Sequence, residues 1–236
     1  MKFSSPLIEG RLIRRYKRFL ADVELPNGEI ITAHTANTGA MQGCAEPGSR
    51  VWLSDSGNVK RKYPLTWELV EVKAEQPALL GINTQLSNKL VAEAIENGVV
   101  TELQGYTEIR REVRYGTENS RIDLLLQHPD KAPCYVEVKN VTLVQGETGY
   151  FPDAVTARGS KHLRELAYMA QQGCRAVIFY CVQRGDVAEV RPAQHIDAEY
   201  AATLRQVLQQ GVEAMAYRAA VTVREVVLAR RVPVNV

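Results

Sequence analysis

The stretch "SRIDLLLQHPDKAPCYVEVKNVTL", residues 120–143, places three charged residues in two otherwise apolar runs. Asp123 interrupts the first run, and Glu137 and Lys139 lie at the end of the second. Both runs have the length and composition of buried strands. Because an unpaired buried charge costs several kcal/mol, the sequence predicts that these three side chains serve one another or a shared ligand.

The segments around this stretch predict a helix, three strands, a second helix and a further strand. The first helix is expected in "LSNKLVAEAIENG" (86–98), with Ser87 or Asn88 as its N-cap and Gly98 as its stop. Strands are expected over about 107–115, 121–127 and 133–138, a helix over 160–173, a strand buried on both sides over 176–182, and a third helix from Asp197 to Gln210.

The first 80 residues show a different pattern of predicted secondary structure, with short strands only. "FLADVELPNGEIITAH" (19–34) alternates on both sides of Pro26-Asn27-Gly28, which is a strong hairpin pattern. Further strands are indicated over 49–58 and 66–75, and no helix is evident. About five short strands in 80 residues predict a small oligonucleotide-binding-like (OB-like) β-barrel.

The three charged residues have a chemical logic as a metal site. If 121–127 and 133–138 form a hairpin, Asp123 and Glu137 are neighbours across it, and Lys139 lies on the same face as Glu137. Two carboxylates at the end of a sheet suit Mg²⁺ or Mn²⁺, and an adjacent lysine can stabilise charge on a phosphoryl group. The alternative is a cross-strand salt-bridge cluster without a ligand.

An Asp followed about a dozen residues later by Glu-x-Lys resembles the PD-(D/E)xK nuclease superfamily. The motif is degenerate, since Glu71-Val72-Lys73 repeats the tripeptide without a preceding helix. The resemblance implies a catalytic set of Asp123, Glu137 and Lys139. Members often add an acid from the first helix, for which Glu93 and Glu96 are the candidates, although an exposed helix glutamate is the alternative for either.

Longer blocks resemble a narrower family, the sugar fermentation stimulation protein A family of bacteria. They are "RYKRFLADV" (15–23), "NTGAMQGC" (37–44), "KRKYPLTWEL" (60–69), "SRIDLLL" (120–126), "YVEVKNVTL" (135–143), "GYFPDAVTARGSKHLREL" (149–166) and "RAVIFY" (175–180). The resemblance implies an OB-like domain over 1–80 and a PD-(D/E)xK nuclease-like α/β domain with a mixed central sheet over 81–236. It also implies non-specific DNA binding and a regulatory link to maltose metabolism.

Clustered basic residues make DNA a reasonable partner, because Lys and Arg bind phosphates without reading sequence. The predicted DNA contacts are Arg11, Arg14, Arg15, Lys17, Arg18, Lys60, Arg61, Lys62 and Tyr63 in the first part, and Arg158, Lys161 and His162 in the second. Nearby Tyr16, Phe19 and Trp67 are expected to stack on bases. The small residues of "NTGAM" predict a turn whose amides can bind an anion. Solvated strand edges and a helix-start cap are the alternatives for these clusters.

Composition narrows the class of protein without deciding it. The formal net charge is +2, too near zero to indicate a nucleic-acid partner by itself. The four cysteines show no metal-ligand spacing and are expected to be reduced thiols. No signal peptide or membrane span is evident, so a cytoplasmic location is expected. Three functions compete: a DNA-binding protein, a Mg²⁺-dependent endonuclease, and a small-molecule sensor, which no feature supports.

Overall fold

The computed structural model describes residues 1–72 and 77–236. Within these residues the chain forms a β-barrel followed by a mixed sheet that carries helices on both faces. The predicted α/β fold, a small barrel followed by a domain with a mixed central sheet, is confirmed. No helix in the described part of the chain combines the length and apolarity needed to cross a membrane.

The barrel is built from short strands that surround one apolar core. Its strands are β1 (Ile8–Tyr16), β2 (Leu20–Glu24), β3 (Ile30–Thr35), β4 (Arg50–Asp55), β5 (Leu65–Val72) and β6 (Ala78–Gly81). They follow the order β3-β2-β1-β4-β5-β6, and a parallel pairing of β3 with β5 closes the ring. Gly28, with φ of +83°, turns the β2–β3 hairpin, so the predicted hairpin is confirmed.

The second sheet has β12 (Arg175–Val182) at its centre. The remaining strands are β7 (Glu108–Tyr115), β8 (Ser120–His128), β9 (Lys131–Val141), β14 (Glu213–Val221) and β15 (Val226–Val232). The order is β15-β14-β12-β9-β8-β7, with β12 parallel to both β9 and β14 and the other pairings antiparallel. The predicted succession of helix, three strands, helix and strand is therefore confirmed.

Three helices cover the two faces of this sheet. They are α1 (Ser87–Glu96), α2 (Ala157–Gln171) and α3 (Ala198–Gln209). Alternate residues of β12 enter two apolar cores, Val177 and Phe179 on the α1 side and Ile178 and Tyr180 on the α2–α3 side. This is why the run reads as continuously hydrophobic. Asp197 caps α3 as predicted, accepting a bond from the Tyr200 amide.

Two features of the fold differ from the sequence prediction. A small sheet of β10 (Leu143–Gln145), β11 (Thr148–Phe151) and β13 (Glu189–Pro192) was not predicted, because its strands are too short to show a period. The prediction that Ser87 or Asn88 caps α1 is wrong. Asn83 caps a short 3-10 turn before α1, which frees the side chains of Ser87 and Asn88 for contacts with Asn140 and Asp123.

The barrel and the second sheet are joined through polar contacts and through the apolar core on the α1 side, which includes Trp52 and Leu69 of the barrel. Strand β6 spans the predicted domain boundary at residue 80, which stays a prediction, and the Gly81 amide donates to the Gln183 carbonyl at 2.8 Å. The Asp153 carboxylate accepts bonds from the amides of Ala40 and Met41 at 2.9 and 3.4 Å. The anion that occupies the "NTGAM" turn is thus a carboxylate of the same chain.

We expect Asp153→Ala to lower the free energy of unfolding by about 1–3 kcal/mol, because it leaves two amides of the turn without their acceptor. Denaturant titration followed by tryptophan fluorescence measures it. Asp130→Ala is the matched control, since the Asp130 side chain is 89% exposed, and it should change stability by less than about 0.5 kcal/mol. Equal effects of the two changes would contradict a role for the Asp153 contact.

Candidate functional site

The β8–β9 hairpin brings the three charged residues of the opening stretch together. Its register pairs Leu124 with Val136, and the next residues along are Asp123 and Glu137. There the side chain of Asp123 replaces a ladder partner: its Oδ2 accepts the Val138 amide at 2.7 Å. The other oxygen, Oδ1, accepts from the Asn88 amide group of α1 at 2.7 Å. Two strands and a helix therefore fix the Asp123 carboxylate.

Glu137 is the most buried member of the site, with only 2% of the residue exposed. Its Oε1 accepts a bond from the Lys139 ammonium at 2.7 Å and lies in hydrogen-bond contact with Nδ1 of His162. Its Oε2 is buried and has no hydrogen-bond partner among the described residues. One oxygen is thus saturated and the other is left with its full acceptor capacity.

The hydrogen bonds assign the tautomer of His162. Nε of Arg158 donates to Nε2 of the ring at 3.3 Å, and a guanidinium can only donate. Nε2 is therefore an acceptor, and because the Glu137 carboxylate can only accept, we assign the ring hydrogen to Nδ1, pointing at Glu137. The Lys139 ammonium, 3.3 Å from Nδ1, is then a neighbour of the ring and donates to Glu137 instead. His162 thus holds Glu137 in place from the side opposite the strand, which gives this helix-start histidine a positional role.

The two carboxylates have opposite electrostatic environments. Burial, followed by the nearby Glu137 charge, raises the pKa of Asp123 from 3.8 to about 6, against the opposing effect of its hydrogen bonds and of Lys139. Burial also acts to raise the pKa of Glu137, but Lys139 and His162 outweigh it, and the net pKa is lowered. At neutral pH both groups are ionised, and the repulsion between them mainly destabilises the charged form of Asp123.

The site opens into a cleft of about 350 Å³ between the barrel and the second sheet. Its walls carry mostly amide and hydroxyl side chains, and its charged residues are Asp123, Lys139 and Asp153. The lining residues are Asn37, Thr38 and Gly39 of the barrel, Thr84, Ser87 and Asn88 around the start of α1, and Asp123, Val138, Lys139, Asn140, Thr142, Phe151 and Asp153. We call this the interdomain cleft.

The residues present fit a hard divalent cation. The free oxygen of Glu137 and the raised pKa of Asp123 both mark sites where a positive charge is favourable. In the described residues no group of three or more His, Cys, Asp and Glu side chains is arranged to hold a metal. Two carboxylates, with water in the other positions, match the preference of Mg²⁺ and are too few for a structural Zn²⁺ site.

The third predicted metal ligand lies elsewhere. The Glu93 carboxylate pairs with the amino group of Met1 at 3.0 Å and is 39% exposed. The residue of α1 that reaches the site is Asn88, one turn earlier. Because Asn88 is neutral and donates to Asp123, the helix contributes orientation of the carboxylate rather than a further negative charge. The prediction of Glu93 as a ligand is corrected accordingly.

Several of the predicted DNA contacts in the barrel serve the fold. Arg14 pairs with Asp22 at 2.8 Å. Arg15 donates to the carbonyls of Asn37 and Gly39, and Arg18 to that of Thr38, so both hold the turn that lines the interdomain cleft. Arg11 donates to the Gly48 carbonyl at 3.3 Å. The positions without a hydrogen bond or ion pair in the described part of the chain are Lys17, Lys60 and Lys62.

The predicted aromatic contacts also divide. Trp67 is fully buried in the barrel core and its indole N–H donates to the Leu69 carbonyl, so it cannot stack on a base and that prediction is wrong. Phe19 is 44% exposed and stays a candidate for stacking on a base.

The second predicted basic cluster of the barrel, at residues 60–63, makes few contacts with the rest of the chain. Arg61 donates weakly to Thr66 at 3.5 Å, and Lys62 lies over the Tyr63 ring at 5.4 Å.

Sequence reasoning missed the polar support behind Lys139. The Gln183 side chain, at the end of β12, donates to Oδ1 of Asn140 at 2.8 Å and to the Ser87 hydroxyl at 3.2 Å. Both acceptors line the interdomain cleft. The available signal was a polar residue that directly follows an apolar central strand, and an Asn that directly follows the Glu-x-Lys motif.

Comparisons with known proteins agree on one family over the whole chain. Residues 13–80 match the SfsA N-terminal OB domain, and residues 85–225 match the sugar fermentation stimulation protein RE domain. A sugar fermentation stimulation protein homolog of Geobacter metallireducens is 58% identical over 99% of both chains. One of Pseudoalteromonas atlantica is 54% identical over 100% of both. The structure of Pyrococcus furiosus SfsA in complex with Ca²⁺ has a TM-score of 0.89, 28% identity, and covers 100% of this chain and 98% of that one.

The opposite pKa directions predict opposite mutational effects at neutral pH. Because its pKa is raised, Asp123 stabilises the fold below about pH 4 and loses that contribution as the pH rises through 6. Asp123→Asn should therefore raise the free energy of unfolding at pH 7.5 by about 2 kcal/mol. The lowered pKa of Glu137 means that its stabilisation is present above pH 4.5, so Glu137→Gln should lower it by about 3 kcal/mol.

Denaturant unfolding at pH 4.5 and 7.5 in the presence of chelator measures both effects. The gain in Asp123→Asn should shrink to less than about 1 kcal/mol at pH 4.5, where the native side chain is largely protonated. Asn88 can rotate its amide to accept from the new Asn, so the substitution keeps two hydrogen bonds. A loss of stability in Asp123→Asn at pH 7.5 would show that the carboxylates belong to a balanced salt-bridge cluster.

Proposed function

Because the chain belongs to the sugar fermentation stimulation protein family, we propose that it binds DNA with little sequence preference and holds Mg²⁺ or Mn²⁺ at Asp123 and Glu137. The observation that carries the proposal is the pair of carboxylates opposite each other in the β8–β9 register: Glu137 has a free, buried oxygen, and Asp123, whose pKa is raised to about 6, lines a cleft shared by both parts of the chain. A cation relieves both costs.

The metal part of the proposal has independent support. The Pyrococcus furiosus relative was solved in complex with Ca²⁺, a hard cation with the same preference for oxygen ligands. In this chain Asp123 and Glu137 would hold the ion, with Asn88, Lys139 and His162 fixing the two carboxylates. When bound, the ion would supply Lewis-acid stabilisation of charge on a phosphoryl group.

The DNA part rests on the position of the unengaged cations. Lys17, Lys60 and Lys62 lie in two loops of the barrel, and all three are exposed. Such side chains contact phosphates and release counterions, which gives affinity without sequence readout. The walls of the interdomain cleft are amide and hydroxyl groups, which can hydrogen-bond a sugar or a base.

A second candidate function, a metal-dependent DNA endonuclease, is favoured by the position of Lys139. Its ammonium lies 2.7 Å from Glu137 and also lines the cleft, so it can pair with a phosphate oxygen that approaches the two carboxylates. Charge stabilisation of this kind is usually the largest contribution to phosphoryl-transfer catalysis. The geometry suits a nuclease acting on a particular DNA structure as well as a binding protein that keeps the nuclease frame.

A regulatory link to sugar metabolism, as the family's name suggests, is compatible with either function. Phosphate contacts alone do not select a gene, because they carry no sequence information. A regulator of this type would act on DNA as an accessory factor, or through a DNA structure. We propose it with maltose metabolism as the setting that the family resemblance implies.

Removing the three unengaged barrel lysines should weaken DNA binding to all sequences alike. Replacing Lys17, Lys60 and Lys62 by Ala should reduce the slope of log affinity against log salt by about 0.9 per lost duplex contact. Fluorescence anisotropy with two unrelated duplexes at several salt concentrations measures it. Lys131→Ala, at the opposite end of β9 from Lys139, is the control and should leave the slope unchanged. Equal slopes in all proteins would place the DNA away from the barrel.

Replacement of Lys139 separates catalysis from binding. Lys139→Ala should abolish cleavage of any DNA form while calorimetry still detects Mn²⁺, whereas Asp123→Asn should lose both. The substrates are supercoiled, nicked and branched DNA with Mg²⁺, Mn²⁺ or chelator. Cleavage that survives both changes would come from a contaminating nuclease. Absence of cleavage in the wild type, with DNA and Mn²⁺ binding retained, would establish the binding protein and reject the enzyme.

A further inference from the structure

A second cleft, of about 380 Å³, adjoins the site without sharing its cations. We call it the basic cleft. It is lined by Glu112, Arg114, Asn119, Ser120, Arg121, Arg158, Lys161 and His162. Glu137 links the two clefts, because its Oε1 contacts one lining residue of each: Lys139 of the interdomain cleft and His162 of the basic cleft.

Two arginines of the basic cleft oppose each other directly. Arg114 of β7 and Arg121 of β8 are register partners in the antiparallel pair. Like charges in this arrangement are destabilising. Neither forms an ion pair or a side-chain hydrogen bond within the described residues, although acidic partners are available to other arginines of the same region, such as Arg164 with Glu118. The fold therefore places two arginines opposite each other in one cleft, and neither is paired with an acid in the described residues.

The rest of the cleft is consistent with an anion between these arginines. Arg158 and Lys161 bring the cationic side chains to four, against one carboxylate, Glu112. Arg158 is oriented by its bond to His162, and Lys161 by a bond to the Glu118 carbonyl. Ser120, a residue only 4% exposed, is part of the cleft lining, and its buried hydroxyl has no hydrogen-bond partner in the described part of the chain. It is a neutral donor ready for an acceptor oxygen.

We propose that the basic cleft binds a phosphodiester group of a DNA strand, next to the stretch of strand that enters the interdomain cleft. Paired guanidinium groups match phosphate geometry through two parallel N–H···O bonds. The cleft volume of about 380 Å³ suits one or two phosphate groups of a strand. This inference rests on the proposed DNA function and adds Arg114, Arg121 and Ser120 to it. The strand would thus cross Glu137 and His162, with polar groups on one side and phosphate ligands on the other.

The first experiment uses the anion alone. Thermal unfolding of the full chain in phosphate should show a higher Tm than in chloride of equal ionic strength. The double variant Arg114→Gln/Arg121→Gln should lose that difference, whereas Arg110→Gln/Arg111→Gln should retain it. The control removes the same number of positive charges, both from β7 and outside the lining of the basic cleft. At low salt the first variant should be at least as stable as the wild type, because a repulsive pair has been removed.

The second experiment uses DNA. For a duplex, the salt slope of binding should fall by about 1.8 in Arg114→Gln/Arg121→Gln, which is about 0.9 for each lost contact, and stay unchanged in the control. A slope equal to the control's would overturn the proposal even if the protein binds DNA. Cleft-dependent stabilisation by phosphate without DNA binding by the wild type would overturn the DNA function and, with it, the phosphodiester assignment. Equal stabilisation of all three proteins by phosphate would overturn the anion site.

Discussion

The rest of the site depends on the burial of one carboxylate. A charge as enclosed as that of Glu137 is tolerable only when it is paired and hydrogen-bonded. The chain meets this condition from two directions: Lys139 approaches along the same strand, and His162 approaches from α2. Each of these groups also faces a cleft, so the requirement that makes Glu137 stable determines which residues line both clefts. Oε2 of Glu137 is the one oxygen of this carboxylate that has no hydrogen-bond partner among the described residues.

The need to pair buried polar groups also explains the barrel's basic cluster. The turn at residues 37–39 forms one wall of the interdomain cleft, and Arg15 and Arg18 donate to its carbonyl groups. The Asn37 side chain accepts from the Gly39 amide, and Asp153 accepts from the amides of the next two residues, Ala40 and Met41. Backbone groups in an irregular turn need partners, because unpaired buried polar groups cost about 1–3 kcal/mol. Arginine supplies several donors at once, and the dense cluster therefore serves the shape of the cleft before any ligand arrives.

These assignments show what the sequence could and could not predict. The period of the apolar residues was sufficient for the barrel, the β8–β9 hairpin and the order of elements around it, because periodicity reports which face is buried. The same pattern located Asp123, Glu137 and Lys139. It could not separate free from engaged arginines, since two of the three acceptors of Arg15 are backbone carbonyls more than twenty residues away. Asn88 and Trp67 were misassigned for the same reason, because tertiary contacts decided their roles.

The unfavourable free energy of placing two carboxylates close together bears on whether the site binds a cation. A purely structural salt-bridge cluster needs as many positive as negative groups, and the Glu137–Lys139 pair already satisfies that condition. Asp123 adds a second, partly buried carboxylate beside it, which raises its own pKa instead of lowering it. A fold selected for stability alone would gain from an asparagine at this position, since the hydrogen bonds to Val138 and Asn88 could be kept. The excess negative charge is what the proposed cation would neutralise, whereas a salt-bridge cluster gives no reason for a second carboxylate at this position.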